Sequence, residues 1–119
     1  MQPAPSMLSR AEQIVTLGRL SLVSEREDAI HTLGLDGELD LATAAKLEEQ
    51  LHAIEGTDAD VILVDLGGLS FIDSTGIRVL LKAAARSRDD GRLALQGASP
   101  RIRRVLDLAG VAPLLPLCG

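Results

Sequence analysis

The residues best suited to chemistry in this sequence are the hydroxyl and carboxyl side chains of Asp73-Ser74-Thr75, followed by Gly76. They come after a loop that leaves an apolar strand, and they open a segment with helical periodicity. The first N–H groups of a helix lack intrahelical partners and carry partial positive charge. A hydroxyl there is presented at the surface, close to any group bound over the helix end, and Gly76 allows another backbone to approach. The same residues also form an ordinary N-terminal cap, and both interpretations fit.

The segment Asp36-Gly-Glu38-Leu-Asp40 begins like the acidic loop of a calcium site. Such a loop needs a glycine and a closing glutamate at fixed positions. Leu41 and Leu47 stand at those positions. We therefore expect no metal site.

The remaining reactive side chains are scattered. His31 and His52 have no second ligand pattern nearby, so we expect them at the surface or at the edge of the core. Cys118 is the single cysteine and cannot form an internal disulfide or a zinc site of cysteine pairs. A basic cluster indicates either a solvated helix face or docking to an acidic partner. It comprises Arg101, Arg103 and Arg104.

Familiar enzyme signatures are missing from the sequence. Val61–Asp65 looks like the phosphoacceptor strand of a response-regulator receiver, but no lysine follows Lys82 to complete that site. Neither histidine is placed to activate Ser74 as a nucleophile. The Walker pattern and the dinucleotide-binding glycine fingerprint are also missing. We predict a protein that is not an enzyme and that carries no cofactor.

The composition indicates one folded domain. The chain has 119 residues, of which 46% are hydrophobic, and this suits a single domain with a real core. With one Phe and no Trp or Tyr, it lacks the stacking faces that bind single-stranded nucleic acid. No run approaches the ~20 apolar residues of a membrane span, and residues 1–18 show no signal-peptide pattern. We expect a soluble, cytoplasmic protein.

The net charge of −5 is unevenly distributed. Residues 1–60 hold 4 basic and 12 acidic side chains, or −8, and residues 61–119 hold 8 basic and 5 acidic, or +3. This asymmetry is either scatter or a means of orienting the chain on a protein partner. An acidic domain binds DNA phosphates poorly, so we predict no direct contact with nucleic acid.

Periodicity predicts the element order β-β-α-β-α-β-α-β, an α/β fold with a mixed sheet and helices packed on it. Leu20–Leu22 and Ala29–Leu35 alternate like the arms of a hairpin. Val61–Val64 is a continuous apolar run, typical of a central strand buried on both faces. Leu93–Leu95 and Leu114–Leu117 are the remaining predicted strands.

Three helices are predicted between these strands. Apolar residues recur at helical spacing from Ala44 to Ile54, and the second helix begins at Asp73. The third begins at the Ser99-Pro100 cap and ends before Gly110.

The domain is predicted to span residues 19–119. Residues 1–18 form an N-terminal extension that is flexible or holds a short helix beginning at Ser9.

Three segments carry a resemblance to a known family. They are Gly34-Leu-Asp-Gly-Glu-Leu-Asp40, Leu69-Ser-Phe-Ile-Asp-Ser-Thr-Gly76, and Ser99-Pro-Arg-Ile-Arg-Arg-Val-Leu-Asp-Leu-Ala-Gly110. In this order and spacing, from about Arg19 to Leu117, the chain resembles the STAS family and specifically its bacterial anti-sigma factor antagonists.

The resemblance implies a partner switch. The unphosphorylated antagonist binds an anti-sigma factor that is also a serine kinase, and so frees a sigma factor. The kinase phosphorylates the antagonist, here on Ser74, and a serine phosphatase reverses the reaction. The partner-binding residues that the resemblance implies are Asp40, Asp73, Ser74, Thr75, Gly76, Ile77 and Leu80.

Phosphorylation adds about −1.5 to −2 charge, which a helix N-terminus tolerates well. We therefore expect a change of affinity for the partner with little change of fold.

The alternative is a STAS subunit or scaffold of a lipid-transport or signalling assembly, with Ser74 not phosphorylated. The chain stops soon after its last strand, so the terminal helix common in the family is expected to be short or missing. We expect a monomer or a weak dimer.

Overall fold

The computed structural model describes residues 13–118, and all structural statements below refer to that range. Six strands form one sheet in chain order. The strands are β1 (Gln13–Leu17), β2 (Leu20–Glu27), β3 (Ile30–Leu39), β4 (Val61–Ile72), β5 (Leu93–Gln96) and β6 (Leu117–Cys118). The helices are α1 (Ala44–Glu55), α2 (Ser74–Arg86) and α3 (Pro100–Leu108), with a 3₁₀ turn at Ala112–Leu114.

The sheet changes direction at β3. Strands β1, β2 and β3 pair antiparallel, whereas β3, β4, β5 and β6 pair parallel. Parallel neighbours need crossover connections, and α1, α2 and α3 provide them. The predicted mixed α/β sheet is confirmed.

One glycine shapes the end of β3. Gly37 has φ +115°, and a Cβ there would lie 1.9 Å from the carbonyl oxygen of Arg19. The next residue, Glu38, donates its N–H to that same carbonyl at 2.8 Å. Only glycine permits this close approach, which holds the β1–β2 turn against the end of β3.

The core lies on one face of the sheet. In β4, Ile62, Val64 and Leu66 are at most 2% exposed, whereas Val61 is 37% exposed and Leu63 is half-buried. The helices cover the face of the sheet that carries Ile62, Val64 and Leu66. This agrees with right-handed crossovers between strands that follow one another in chain order, which put every helix on the same side. The prediction that Val61–Val64 is buried on both faces is therefore wrong.

Helix α1 is held at its end by a residue from a distant turn. The Arg92 guanidinium donates hydrogen bonds to the carbonyl oxygens of Glu55, Thr57 and Ala59, at 2.9 to 3.0 Å. The last carbonyls of a helix have no intrahelical donors. Arg92, just before β5, therefore fixes where α1 stops and where the chain turns toward β4.

Strand limits differ from the predicted ones at both ends of the domain. The predicted helix beginning at Ser9 lies outside the described residues, and Gln13–Leu17 form edge strand β1. The last strand is Leu117–Cys118 and not Leu114–Leu117. The left-handed residue predicted after α3 is confirmed, since Gly110 has φ +75°.

No helix within residues 13–118 is long and apolar enough to cross a membrane.

Candidate functional site

The junction between β4 and α2 is organised by Asp73. This residue is the N-cap of α2, in extended conformation. Its Oδ1 accepts the backbone N–H groups of Thr75 at 2.9 Å and Gly76 at 3.0 Å. The capping function that the sequence predicted is thus confirmed, and it sets the direction in which α2 leaves the sheet.

A second carboxylate organises the neighbouring connection between β3 and α1. Asp40 Oδ1 accepts the backbone N–H groups of Ala42 at 2.9 Å and Thr43 at 3.2 Å. The Thr43 hydroxyl is buried with its residue, at 1% exposure, and donates to the Glu38 carbonyl at 3.0 Å. The Asp40 carboxylate therefore shapes its own loop, as Asp side chains commonly do in turns.

These two loops are tied directly to each other. The Leu41 N–H donates to Asp73 Oδ2 at 3.2 Å, and the Asp73 N–H donates to the Leu39 carbonyl at 3.1 Å. Both loops follow the carboxyl ends of adjacent parallel strands, so they meet at the same edge of the sheet. The structure thus brings Asp40 and Asp73 to one surface with Ser74 and Thr75.

Ser74 occupies the first position of α2 and is exposed. Among the serines of residues 13–118, it alone makes no interaction through its hydroxyl. The hydroxyls of Ser24, Ser70, Ser87 and Ser99 all have hydrogen-bond partners, and Ser21 has an interaction of its own. Ser74 is therefore open to attack or modification without the loss of a hydrogen bond.

The other residues implied on α2 lie behind this surface. Leu80 is fully buried and Ile77 is 8% exposed. A Cβ on Gly76 would lie 2.6 Å from Leu39 Cγ and 3.1 Å from Ile72 Cγ1. Gly76 therefore admits the side chains of the two strand ends, and not another backbone as the sequence suggested. In this fold Gly76, Ile77 and Leu80 position the helix.

Within residues 13–118, neither histidine lies beside Ser74 to activate it as a catalytic nucleophile. His31 stands at the start of β3, opposite Ile62 of β4, whereas Ser74 follows the far end of β4. His52 lies in the last turn of α1 and faces Glu48 and Glu55 at 4.0 and 3.9 Å. Nucleophilic catalysis by Ser needs a base within hydrogen-bond reach.

His31 belongs to a small polar cluster at the end of the sheet opposite Ser74. Its Nε2 lies 2.5 Å from Ser24 Oγ, while its Nδ1 is buried without a hydrogen-bond partner in the described chain. Burial lowers the pKa of His31, and the positive charge of Arg26 lowers it further. Both effects disfavour the imidazolium form, so this histidine is held neutral.

Within the described residues, the remaining candidates from the sequence are not gathered into a second site. Residues 13–118 contain no group of three or more His, Cys, Asp or Glu side chains able to hold a metal, and Glu38 instead pairs with Arg19 at 3.3 Å. Arg101 and Arg104 are exposed on α3, and Arg103 pairs with Asp107 at 3.4 Å. Cys118 is exposed and free.

A surface groove lies away from Ser74. It has a volume of about 630 Å³ and runs between the C-terminal half of α2 and the segment before β6. Leu81, Ala84, Leu93 and Leu115 line it, and Arg88 supplies its charge. Ligand sites usually combine an enclosed apolar cavity with several convergent polar groups. This groove is open and has few polar groups, so it does not identify a small-molecule site.

Two exposed residues of the Ser74 surface were missed by the sequence reasoning. Leu41 is 78% exposed, and Arg78 is exposed one helical turn after Ser74. Leu41 could have been singled out in the sequence because it is an apolar residue directly after the Gly34–Asp40 segment. For Arg78, the signal was a basic residue outside the apolar stripe of α2, four positions after Ser74.

Comparison with known proteins adds independent findings. The STAS domain family matches residues 21–118. The chain is 30% identical to the anti-sigma-B factor antagonist of Staphylococcus aureus over 97 residues, which are 81% of this chain and 90% of that protein.

Solved structures share the fold. An anti-sigma factor antagonist from Mycobacterium paratuberculosis superposes with a TM-score of 0.74 at 23% identity, covering 82% of this chain and 84% of that one. The phosphorylated form of the Bacillus cell fate determinant SpoIIAA superposes with a TM-score of 0.57 at 23% identity, covering 91% of each chain.

Proposed function

The chain belongs to the STAS domain family and to its anti-sigma factor antagonists, and we propose that it binds an anti-sigma factor of the serine-kinase type through the surface around Ser74. Phosphorylation of Ser74 by that partner weakens the complex, and a serine phosphatase restores it. Antagonists of this family are regulators and not enzymes. The chemistry at Ser74 is therefore done by the partner.

The observation that carries this proposal is the free hydroxyl of Ser74. It is exposed on the first turn of α2 and has no hydrogen-bond partner within residues 13–118. A kinase can therefore engage it without breaking a contact of the fold. SpoIIAA has the same fold and has a phosphorylated form, which supports the view that the fold accommodates a phosphoryl group.

The switch has a simple physical basis. The γ-phosphoryl group of ATP passes to Ser74 Oγ, the hydroxyl proton is released, and ADP leaves. The product carries about −1.5 to −2 charge at neutral pH, which the first turn of a helix stabilises. In a tight interface the same charge must be desolvated beside Asp73. A loss of only ~3 kcal/mol weakens binding by roughly 100-fold.

The test is intact-mass analysis after incubation with a candidate anti-sigma kinase and ATP. Wild-type chain, Ser74→Ala and Ser70→Ala are compared. Ser70 is a matched control, since it is also exposed and lies on the same junction, although its hydroxyl donates to the Gly37 carbonyl at 3.0 Å. We expect one added phosphate on wild type and on Ser70→Ala, and none on Ser74→Ala.

Binding of the two forms completes the test. We expect the purified phosphoprotein to bind the same partner about 100-fold more weakly than the unphosphorylated chain, with an unchanged circular dichroism spectrum. Equal affinities of the two forms would refute the switch. If no kinase that is active on another antagonist modifies the chain, the scaffold alternative replaces this proposal.

A further inference from the structure

Arg78 shares the exposed face of α2 with Ser74. Ser74, Arg78 and Lys82 are all exposed and are spaced four residues apart, so they form one line along the helix surface. Val79, Leu80 and Ala83, which lie between and after them, are buried. Ser74 and Arg78 therefore lie one helical turn apart on the solvent side of α2.

The Arg78 guanidinium makes no ion pair or hydrogen bond with any side chain of residues 13–118, in contrast to Arg86, which binds Glu48 and Glu55 at 3.2 and 2.8 Å. Helix α2 contains no acidic residue. The two nearby carboxylates, of Asp73 and Asp40, are engaged by backbone N–H groups of the two loops at this edge of the sheet. Within the described part of the chain, Arg78 is thus a cation with no counterion, one turn from the proposed phosphoacceptor.

We propose that Arg78 binds the phosphoryl group on Ser74 within the same chain. This inference rests on the proposed phosphorylation and specifies how the phosphate is held. An acid four residues N-terminal to a base is the favourable orientation of a helical ion pair. Side chains on a helix also lean toward its N-terminus, so the arginine extends toward Ser74. Its planar fork fits two phosphate oxygens at once.

The pairing adds a second effect to the switch. In the unphosphorylated chain Arg78 is free on the surface that surrounds Ser74, where it can bind an acidic group of the partner. The phosphate then occupies Arg78 while it introduces negative charge into the interface. Lys82 lies two turns from Ser74, beyond direct contact, and takes no part.

The test uses phosphoserine incorporated at position 74 during synthesis, so that no kinase is needed. The second ionisation of the phosphate is followed by ³¹P NMR titration in wild type, Arg78→Gln, Arg78→Lys and Lys82→Gln. We expect Arg78→Gln to raise the phosphate pKa by about 0.3 pH units or more, because an ion pair stabilises the dianion. Arg78→Lys should recover most of that shift, and Lys82→Gln should move the pKa by about 0.1 or less at physiological salt.

Two results would overturn the inference. One is an Arg78→Gln titration identical to that of wild type. The other is a shift of the phosphate pKa in Lys82→Gln as large as that in Arg78→Gln, which would indicate a long-range electrostatic effect rather than direct contact. Either result can occur whether or not a kinase modifies Ser74, and the kinase assay does not depend on Arg78. The two proposals can therefore fail separately.

Discussion

Asp73 Oδ2 accepts the backbone N–H of Leu41 at 3.2 Å, across 32 residues of chain. The other oxygen of the same carboxylate caps α2 through the N–H groups of Thr75 and Gly76. One side chain thus sets the direction of the helix that carries Ser74 and the position of the loop beside it. The Asp73 carboxylate therefore links the two loops that form the Ser74 surface.

Asparagine at position 73 should separate the two functions of the carboxylate. Asp73→Asn keeps an oxygen for the cap, but its amide nitrogen cannot accept the Leu41 N–H. Asp73→Ala removes both contacts and should lower the free energy of unfolding by about 1 kcal/mol or more. Asp73→Asn should cost less, yet speed hydrogen exchange at the Leu41 amide. Urea denaturation and exchange measured by NMR report the two effects.

The matched control is Ser99→Ala, which removes the N-cap of α3. It should lower stability by a similar amount without a selective change at the Leu41 amide. Unchanged exchange at Leu41 in Asp73→Asn would show that the contact between the loops does not protect that amide.

The sequence predicted the caps well because capping is local. The side chains of Asp73 and Ser99 accept backbone N–H groups two or three positions later in the chain. Such capping contacts depend on sequence spacing alone. The contact between Leu41 and Asp73 depends on two parallel strands ending side by side. Sequence spacing carries no such information.

The extension of β4 to Ile72 was missed for a related reason. Its second half contains Gly67 and Gly68, which sequence reasoning assigns to loops. In the structure a Cβ on Gly68 would lie 2.9 Å from the Leu35 carbonyl oxygen, so the missing side chain lets β3 and β4 stay paired past an irregularity in register. Strand β1 was missed because its pairing depends on the turn after it and on neighbours supplied by β2.

Gly76→Ala should destabilise the fold through steric conflict. Its Cβ would stand 2.6 Å from Leu39 Cγ, and Leu39 is fully buried, so α2 or the end of β3 must shift. Overpacking of this kind costs about 1–3 kcal/mol. Gly34→Ala is the control, since a Cβ there meets ordinary contacts at 3.8 Å. Urea unfolding should show a clear loss for Gly76→Ala only, and equal stability of both variants would contradict the prediction.

Replacement of Arg92 should loosen the end of α1. Three carbonyl oxygens, of Glu55, Thr57 and Ala59, lose their donor together in Arg92→Ala. Unsatisfied polar groups in a partly buried setting cost about 1–3 kcal/mol, and Arg92→Lys should recover little because one ammonium cannot serve all three. Chemical denaturation should show this loss but almost none for Arg88→Ala, whose side chain is exposed. A loss below about 0.5 kcal/mol for Arg92→Ala would argue against the cap.

Stability should fall as the pH is lowered through the titration of His31. Burial and the Arg26 charge, which is itself paired with Asp58 at 3.0 Å, hold the folded-state pKa of His31 below 6.5. Between that folded pKa and 6.5 the unfolded chain binds more protons than the folded one, so protonation favours unfolding. The free energy of unfolding should therefore decrease as the pH falls below about 6.5 and should be unaffected by this residue above about pH 7.5.

His31→Gln should flatten this slope while it keeps a hydrogen-bond partner for Ser24. The exposed His52, replaced as His52→Gln, serves as the control and should keep the slope. Unfolding free energies measured at several pH values between 5 and 8 provide the comparison. A slope that survives in His31→Gln would assign the pH dependence to other groups.

Leu41→Ala should weaken partner binding without weakening the fold. The side chain is 78% exposed, so its removal should change the free energy of unfolding by less than about 0.5 kcal/mol. Its backbone is fixed to Asp73 next to Ser74, which makes it a preorganised apolar contact for the proposed anti-sigma factor. Loss of such a contact costs about 1 kcal/mol or more of binding, a decrease in affinity of at least about fivefold. Leu108→Ala on α3 is matched, since Leu108 is 76% exposed, and it should bind like wild type. Titration calorimetry against the same partner would place the docking surface elsewhere if Leu108→Ala lost affinity and Leu41→Ala did not.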